Sequence, residues 1–338
     1  MKRTSNLIAS LVLGAVAVNA GAQTLQSAEY HRALGLKAAE HAPGYANLCD
    51  LESRIRNVNV PRTLSRNAKA KKPESGTGKR KRAKASPLPP TQVFDNLYYF
   101  GTSSVGAWLY GNENGYILID GLNTDEEAAK YIIEGMNTLG LKPEAIKHIV
   151  VTHAHGDHYG GADYIAEKLS LEILMSEPDW KLARFLGNHP RFGPPPQMGR
   201  VVTDGEILTV GEMEMALHIT PGHTPGTLSP VFRVYDNGEP HMAMLWGGTG
   251  FNFGPNKGIF LNYADSAAKM RNISALAGVD VFLSGHPKRD GSDQLIAELG
   301  NRITGQPHPF VKDETGHELF TVLEQCALAQ AARFSESK

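Results

Sequence analysis

The stretch "HIVVTHAHGDHYGGADYIAEKL", His148 to Leu169, sets three histidines and an aspartate within six positions, after an apolar run and before a helical pattern. His153, His155, Asp157 and His158 therefore lie on a tight strand-to-helix loop, where Gly156 relieves backbone sterics. Residues two apart on an extended segment point the same way, so His153 and His155 can grip one ion while Asp157 and His158, past the turn, face a second position. Neutral imidazoles and a carboxylate are the ligands that borderline metals such as zinc prefer. A lone histidine is most often structural; three with an aspartate in six positions reverse that expectation and make this loop a metal site.

Such a loop needs ligands from elsewhere. "TPGHTPGT" places His223 in a Gly/Pro-bounded turn after the strand-like "MALHIT", and "VFLSGHP" places His286 just past a strand from Val279 to Leu283. Histidines on loops at strand ends are well placed to converge on one edge of a sheet. The remaining histidines lack that setting and are read as structural or surface groups, His189 in the Gly/Pro-rich loop Gly187 to Arg200 being the one nearest to an exception.

The elements around these loops follow a regular order. "VFDNLYYFG", "VGAWLYG" and "GYILIDG" are short strand-like runs split by Gly and Asn, as in an antiparallel meander. "TDEEAAKYIIEGMNTLG" reads as a helix with Thr124 as N-cap, acids in its first turn and Gly140 at its end. "IKHIVVTH" is a buried strand, and later come a strand over Leu171 to Met175, a helix near Asp179 to Phe185, further strands, two helices and a last helix from about Glu314 to Phe334. Meanders followed by helices, repeated twice, predict two packed sheets with helices on the outer faces.

The N-terminus reads as a secretory leader: Lys2 and Arg3, an apolar stretch from Leu7 to Val18, then Ala20-Gly21-Ala22. Cleavage near Ala22 is expected, with export to a periplasm or outside and no membrane anchoring of the mature chain. From Arg62 to Lys84 ten basic residues face one acid, Glu74, in a stretch without apolar periodicity, as in a linker or extended loop. Residues 91–338 hold 18 Lys and Arg against 30 Asp and Glu, which disfavours nucleic acid as a partner and leaves a small-molecule substrate as the expectation. The two cysteines, Cys49 and Cys326, stand near opposite ends of the mature chain; a single bridge and two separately buried thiols are both open.

On these residues the chain resembles the metallo-β-lactamase superfamily. Its HxHxDH signature matches His153, His155, Asp157 and His158, and "GHTPG" and "SGH" match the loops of His223 and His286. The resemblance runs from about Val93 to Gly305 and implies an α/β fold, the αββα sandwich. It implies two zinc ions, one held by His153, His155 and His223 and another by Asp157, His158 and His286, with Asp120 in structural support. The division expected is a leader over 1–22, an N-terminal helical segment over 23–60, a basic linker or loop over 61–90 and a hydrolase domain over 91–338.

Two close zinc ions lower the pKa of a shared water and polarise a carbonyl, so hydrolysis by a metal-bound hydroxide is the expected reaction, with Asp157 both a ligand and the residue that orients the nucleophile. "HMAMLWGGTGFNFG" carries neither the bridging aspartate of several related hydrolases nor the cysteine of one lactamase subclass. In this it looks most like the third lactamase subclass, whose ligands are histidines and one aspartate. Gly248 departs from that subclass, where a serine helps bind the antibiotic's carboxylate, and Thr249 is the nearby hydroxyl. "YADS" at Tyr263 to Ser266 is read as the next helix start. Thr249, Phe251 and Tyr159 are the expected substrate contacts, with Phe253 and the loop "FLGNHPRFGPPPQMGR" expected to line the pocket beside them and Trp108 more at home in the core. The leading expectation is a secreted zinc hydrolase opening a cyclic amide, the alternative a lactone, ester or aryl-halide hydrolase of the same superfamily. A binding protein with structural metals is a third reading, disfavoured because three ligands per metal leave room for water.

Overall fold

The computed structural model describes residues 27–62, 85–197 and 199–336. The leader expected over 1–22 and nearly all of the basic run lie outside the described residues. Seven strands, β1 (Thr91–Phe94), β2 (Leu97–Gly101), β3 (Gly106–Asn112), β4 (Gly115–Ile119), β5 (Ile146–Val150), β6 (Ile173–Ser176) and β7 (Arg200–Val202), form one sheet in sequence order. β8 (Glu206–Val210), β9 (Met213–Ile219), β10 (Leu228–Asp236), β11 (Glu239–Trp246) and β12 (Val279–Ser284) form the other, in the order β12-β11-β10-β9-β8. The first four strands are an antiparallel meander and β4 to β7 run parallel; in the second sheet only β11 and β12 are parallel.

Alternation along single strands explains the layers. On β3 and β4, Trp108, Tyr110, Ile117 and Ile119 face the other sheet and pack with Leu217, Phe232 and Leu245, whereas Leu109, Tyr116 and Leu118 face the helices over 125–138, Ala162–Leu169 and Glu177–Leu186. On β11, Ala243 and Leu245 point inward while Met244 and Trp246 meet the helices Lys257–Ala277 and Glu318–Glu336. Both faces of each sheet are thus buried, giving the four αββα layers expected from the sequence.

Three details differ from, or complete, the sequence expectations. "VFDNLYYFG" is a hairpin of two strands, because Asn96 in its turn donates to Arg233 O and accepts from Tyr235 N, tying the turn to β10. The helix expected to begin at Tyr263 begins at Lys257, since the Asn256 side chain caps it by accepting from Ile259 N at 3.2 Å. Cys49 and Cys326 form a disulfide inside the buried cluster where the helix Ala28–Ala38 and the turn Pro43–Cys49 pack on the last helix. Among the described residues no helix is long and apolar enough to cross a membrane.

Candidate metal centre

Four chain segments end at one rim of the sandwich. β4 delivers Asp120, β5 leads into the His153 to His158 loop, the connection between β9 and β10 carries His223, and β12 runs into His286. β4, β5 and β12 point their carboxyl ends there, the edge at which open α/β sheets place ligands. Backbone bonds Leu228 N to Thr152 O at 2.7 Å and Gly106 N to Gly285 O at 2.9 Å join the two sheets around the site.

The six residues resolve into two triads. His153, His155 and His223, all buried, bring one ligating atom each to within 4.8 Å of one another; Asp157, His158 and His286 do the same beside them, with Asp157 about a third exposed. The outward nitrogen of each imidazole meets an oxygen. Nδ1 of His223 donates to Gly250 O at 2.7 Å, Nδ1 of His286 to Ser104 O at 2.8 Å and Nδ1 of His158 to the Asp120 carboxylate at 2.7 Å. Thr152 Oγ1 donates to Asp120 at 3.0 Å and accepts from His153 Nδ1 at 3.0 Å. With the outward nitrogens protonated, the inward ones carry lone pairs. Nε2 of His153 and of His223 face each other at 3.2 Å, as do Nε2 of His158 and of His286. Two lone pairs at that separation repel unless a cation lies between them, so both triads fit divalent metal ions, each with three protein ligands and room for water.

The electrostatics agree. Burial holds His153 and His223 well below the usual histidine range and pushes His155 down to about 4, keeping these ligands neutral and ready for a cation. His286 is lowered for the same reason. Burial also pushes His158 down, but Asp120 and Asp157 outweigh it and the ring ends up raised. Burial raises the Asp157 carboxyl, yet His158, His286 and His155 outweigh that and hold it far below the usual carboxylate range.

Two buried carboxylates organise the rim without being ligands. Asp120 accepts from Thr152 N, Thr152 Oγ1 and His158 Nδ1, so it supports both triads. Its φ of +66° is a left-handed conformation that costs roughly 1–2 kcal/mol for an ordinary residue, held here by those three bonds. Asp179 accepts from Ala154 N at 2.8 Å, Thr224 Oγ1 at 2.6 Å and Gly226 N at 2.7 Å, binding the first ligand loop to the His223 loop. Burial pushes its carboxyl up to about 6.

The triads floor a cleft of about 1200 Å³. Thr249 and Tyr159 line it as expected. Phe251 does not: its ring packs edge-on against Phe260 and Tyr263 in the helix-side core, and Phe253 is buried beside it. The flanking glycines therefore mark a turn that folds these rings inward rather than an aromatic wall. Trp108 is core, with its indole N–H on Ser284 O. His189 does line the cleft, together with Phe192, Arg191 and Arg62. Gly248 is glycine for want of space: a Cβ there would lie 2.4 Å from the Cβ of His223. Sequence reasoning missed Asn59, Thr152 and Asp179, whose roles depend on partners distant in the chain or on a backbone turn.

A model of the Metallo-beta-lactamase superfamily matches residues 101–236. The uncharacterized protein YobT of Bacillus subtilis (strain 168) is 35% identical over 146 residues, 40% of this chain and 60% of its own length. A hydroxyacylglutathione hydrolase of Serratia proteamaculans is 31% identical over 120 residues, 35% of this chain and 39% of its own. The chain thus spans about 40–60% of the length of these curated relatives. BJP-1, a subclass B3 metallo-beta-lactamase of Bradyrhizobium japonicum, is similar in structure with a TM-score of 0.59 at 27% identity, over 70% of this chain and 90% of that one. The superfamily model ends within β10, whereas the structural likeness takes in most of both chains; the two describe one fold, the metallo-β-lactamase fold, which is the fold of this chain.

Proposed function

We propose that the chain is an exported, zinc-dependent hydrolase that opens a cyclic amide of the β-lactam kind in a small anionic substrate. The observation that carries the reaction class is the pair of triads with inward lone pairs and three ligands apiece. Divalent cations held there supply a water of near-neutral pKa and a polarised carbonyl. Asp157, ionised and partly exposed in the cleft, accepts a hydrogen bond from a water and orients it. Asp120 and the backbone oxygens of Gly250 and Ser104 keep the imidazoles in the tautomer that leaves Nε2 free inward. Tyr159, whose phenol is pushed up to about 12 by burial, stays neutral on the wall.

Charge supports an anionic substrate. Among the described residues Arg56, Arg62, Arg191, Lys288 and Arg289 line the cleft against one carboxylate, that of Asp157, although residues 91–338 carry a net excess of acids. A ring carboxylate can be met by Arg62 or Arg191, which flank His189, so the serine that Gly248 cannot accommodate has a substitute. The likeness to subclass B3 enzymes favours a lactam; the hydroxyacylglutathione hydrolase likeness favours a thioester or ester, the second reading. The disulfide suits an oxidising compartment and agrees with the leader-like N-terminus.

Purified full-length protein, loaded with zinc, tests this against a chromogenic cephalosporin, a carbapenem, a lactone and an acyl-glutathione thioester, with chelated protein and His155→Ala alongside. Lactam turnover that is lost on chelation supports the first reading. Thioester or lactone turnover with inert lactams moves the assignment to the second, and turnover that survives both chelation and His155→Ala rejects the metal chemistry.

A further inference from the structure

We propose that Asn59, from the N-terminal segment, is a positioning residue of the tri-histidine triad, which makes that segment part of the metal centre. The inference rests on the metal reading above and concerns the one imidazole whose outer nitrogen is not served by the catalytic domain itself.

Asn59 makes two bonds into the site. Its Nδ2 donates to His223 O at 2.8 Å, and its Oδ1 lies 2.7 Å from His155 Nε2. The first bond fixes the amide orientation, because a carbonyl only accepts. Oδ1 then faces His155, so Nε2 must carry the proton and Nδ1 is the lone pair turned toward the triad. A single side chain thus sets the tautomer of one ligand and holds the backbone of another. The other ligands receive the same service from Gly250 O, Thr152, Asp120 and Ser104 O, all within the catalytic domain.

The segment is fastened well enough to do this. Cys49 is bonded to Cys326 on the last helix, Gln330 donates to Leu48 O and Asp50 O, and Arg333 donates to Ser53 O. Residues 56–58 then pair with the loop after β11: Gly254 N donates to Arg56 O at 2.9 Å and Val58 N to Asn252 O at 2.7 Å. Asn59 follows immediately, delivered between the His155 and His223 loops by backbone pairing rather than by its own contacts alone.

Chelator competition on the full chain, resolving the two zinc affinities, tests the role. Asn59→Ala should weaken the tri-histidine position roughly 10- to 100-fold and leave the Asp157/His158/His286 position within about twofold by the same scale. Asn59→Asp keeps an acceptor for His155 Nε2 but not the donor to His223 O, and should recover part of that loss. Equal weakening at both positions, a fall in metal-free thermal stability with unchanged zinc affinity, or failure of Asn59→Asp to recover would overturn the role. Should Asn59→Ala not fold, the imidazole nitrogen shifts of the unaltered zinc protein decide: a proton on His155 Nε2 with zinc on Nδ1 is expected, and the reverse assignment overturns it. Zinc stoichiometry of the unaltered protein tests the metal reading separately.

Discussion

The two triads share a rim but are built differently. His153, His155 and His223 are buried, uniformly imidazole and held by neutral partners, except where Thr152 relays Asp120. Asp157, His158 and His286 include a carboxylate, open onto the cleft, and place one imidazole directly on a buried aspartate. Burial without charge makes a position that retains its ion; a carboxylate at a partly open position makes one that can also orient a water. The division between holding and reacting is thus written in the ligand types and their burial.

The largest effect should come from the residue that braces both triads. Asp120→Ala removes the partner of His158, the relay to His153 and the brace on Thr152, so zinc affinity should fall at both positions, by roughly 10- to 100-fold each. Loss at only one position in a competition titration would break the claim that Asp120 joins them. Next, Asp179→Ala should act on the tri-histidine side, leaving Ala154 N, Gly226 N and Thr224 Oγ1 without their acceptor and costing about 1–3 kcal/mol in denaturant unfolding. An unchanged midpoint would mean that these donors find water.

Acidification should separate the triads. In the metal-free protein His158 sits above the usual histidine value, so the second position must expel a proton to bind zinc, and its affinity falls as pH drops through neutrality. His153, His155 and His223 are all lowered, so the first position keeps its ion to more acid pH. Metal retention measured from pH 8 to 5 should show release from the second position first; simultaneous release would contradict the comparison. Gly248→Ser should disturb His223 and weaken the first position alone. The smallest effect is on specificity: Arg191→Ala should raise KM for an anionic substrate a few-fold, in the range of one exposed ion pair, and leave kcat and a neutral substrate unaffected.

The candidate ligands were legible because metal binding demands particular residue types at short spacing, and His223 and His286 announce themselves by each following a glycine on a loop at a strand end. Strand-like runs split by Gly and Asn, followed by helices and repeated twice, likewise carried the two sheets. The bracing residues were not legible. Asn59 lies 96 positions from His155, and an asparagine between Val58 and Val60 has no pattern of its own. Asp179 in "SEPDW" looks like any acid in a first helical turn, a common place for one. Phe251 and Phe253 misled for the converse reason: aromatics beside loop glycines were expected at the pocket, and only the packing against Phe260 and Tyr263 shows Phe253 to be core and Phe251 to be turned onto it.

The most direct test is a zinc titration of the metal-free full chain that follows bound metal and hydrolysis of the substrate panel together. Two ions per chain should be taken up in two steps, the tri-histidine position first, with turnover rising as the second fills and with His223→Ala abolishing the first step. Binding of fewer than two ions, or hydrolysis at full rate before any metal is added, would contradict this.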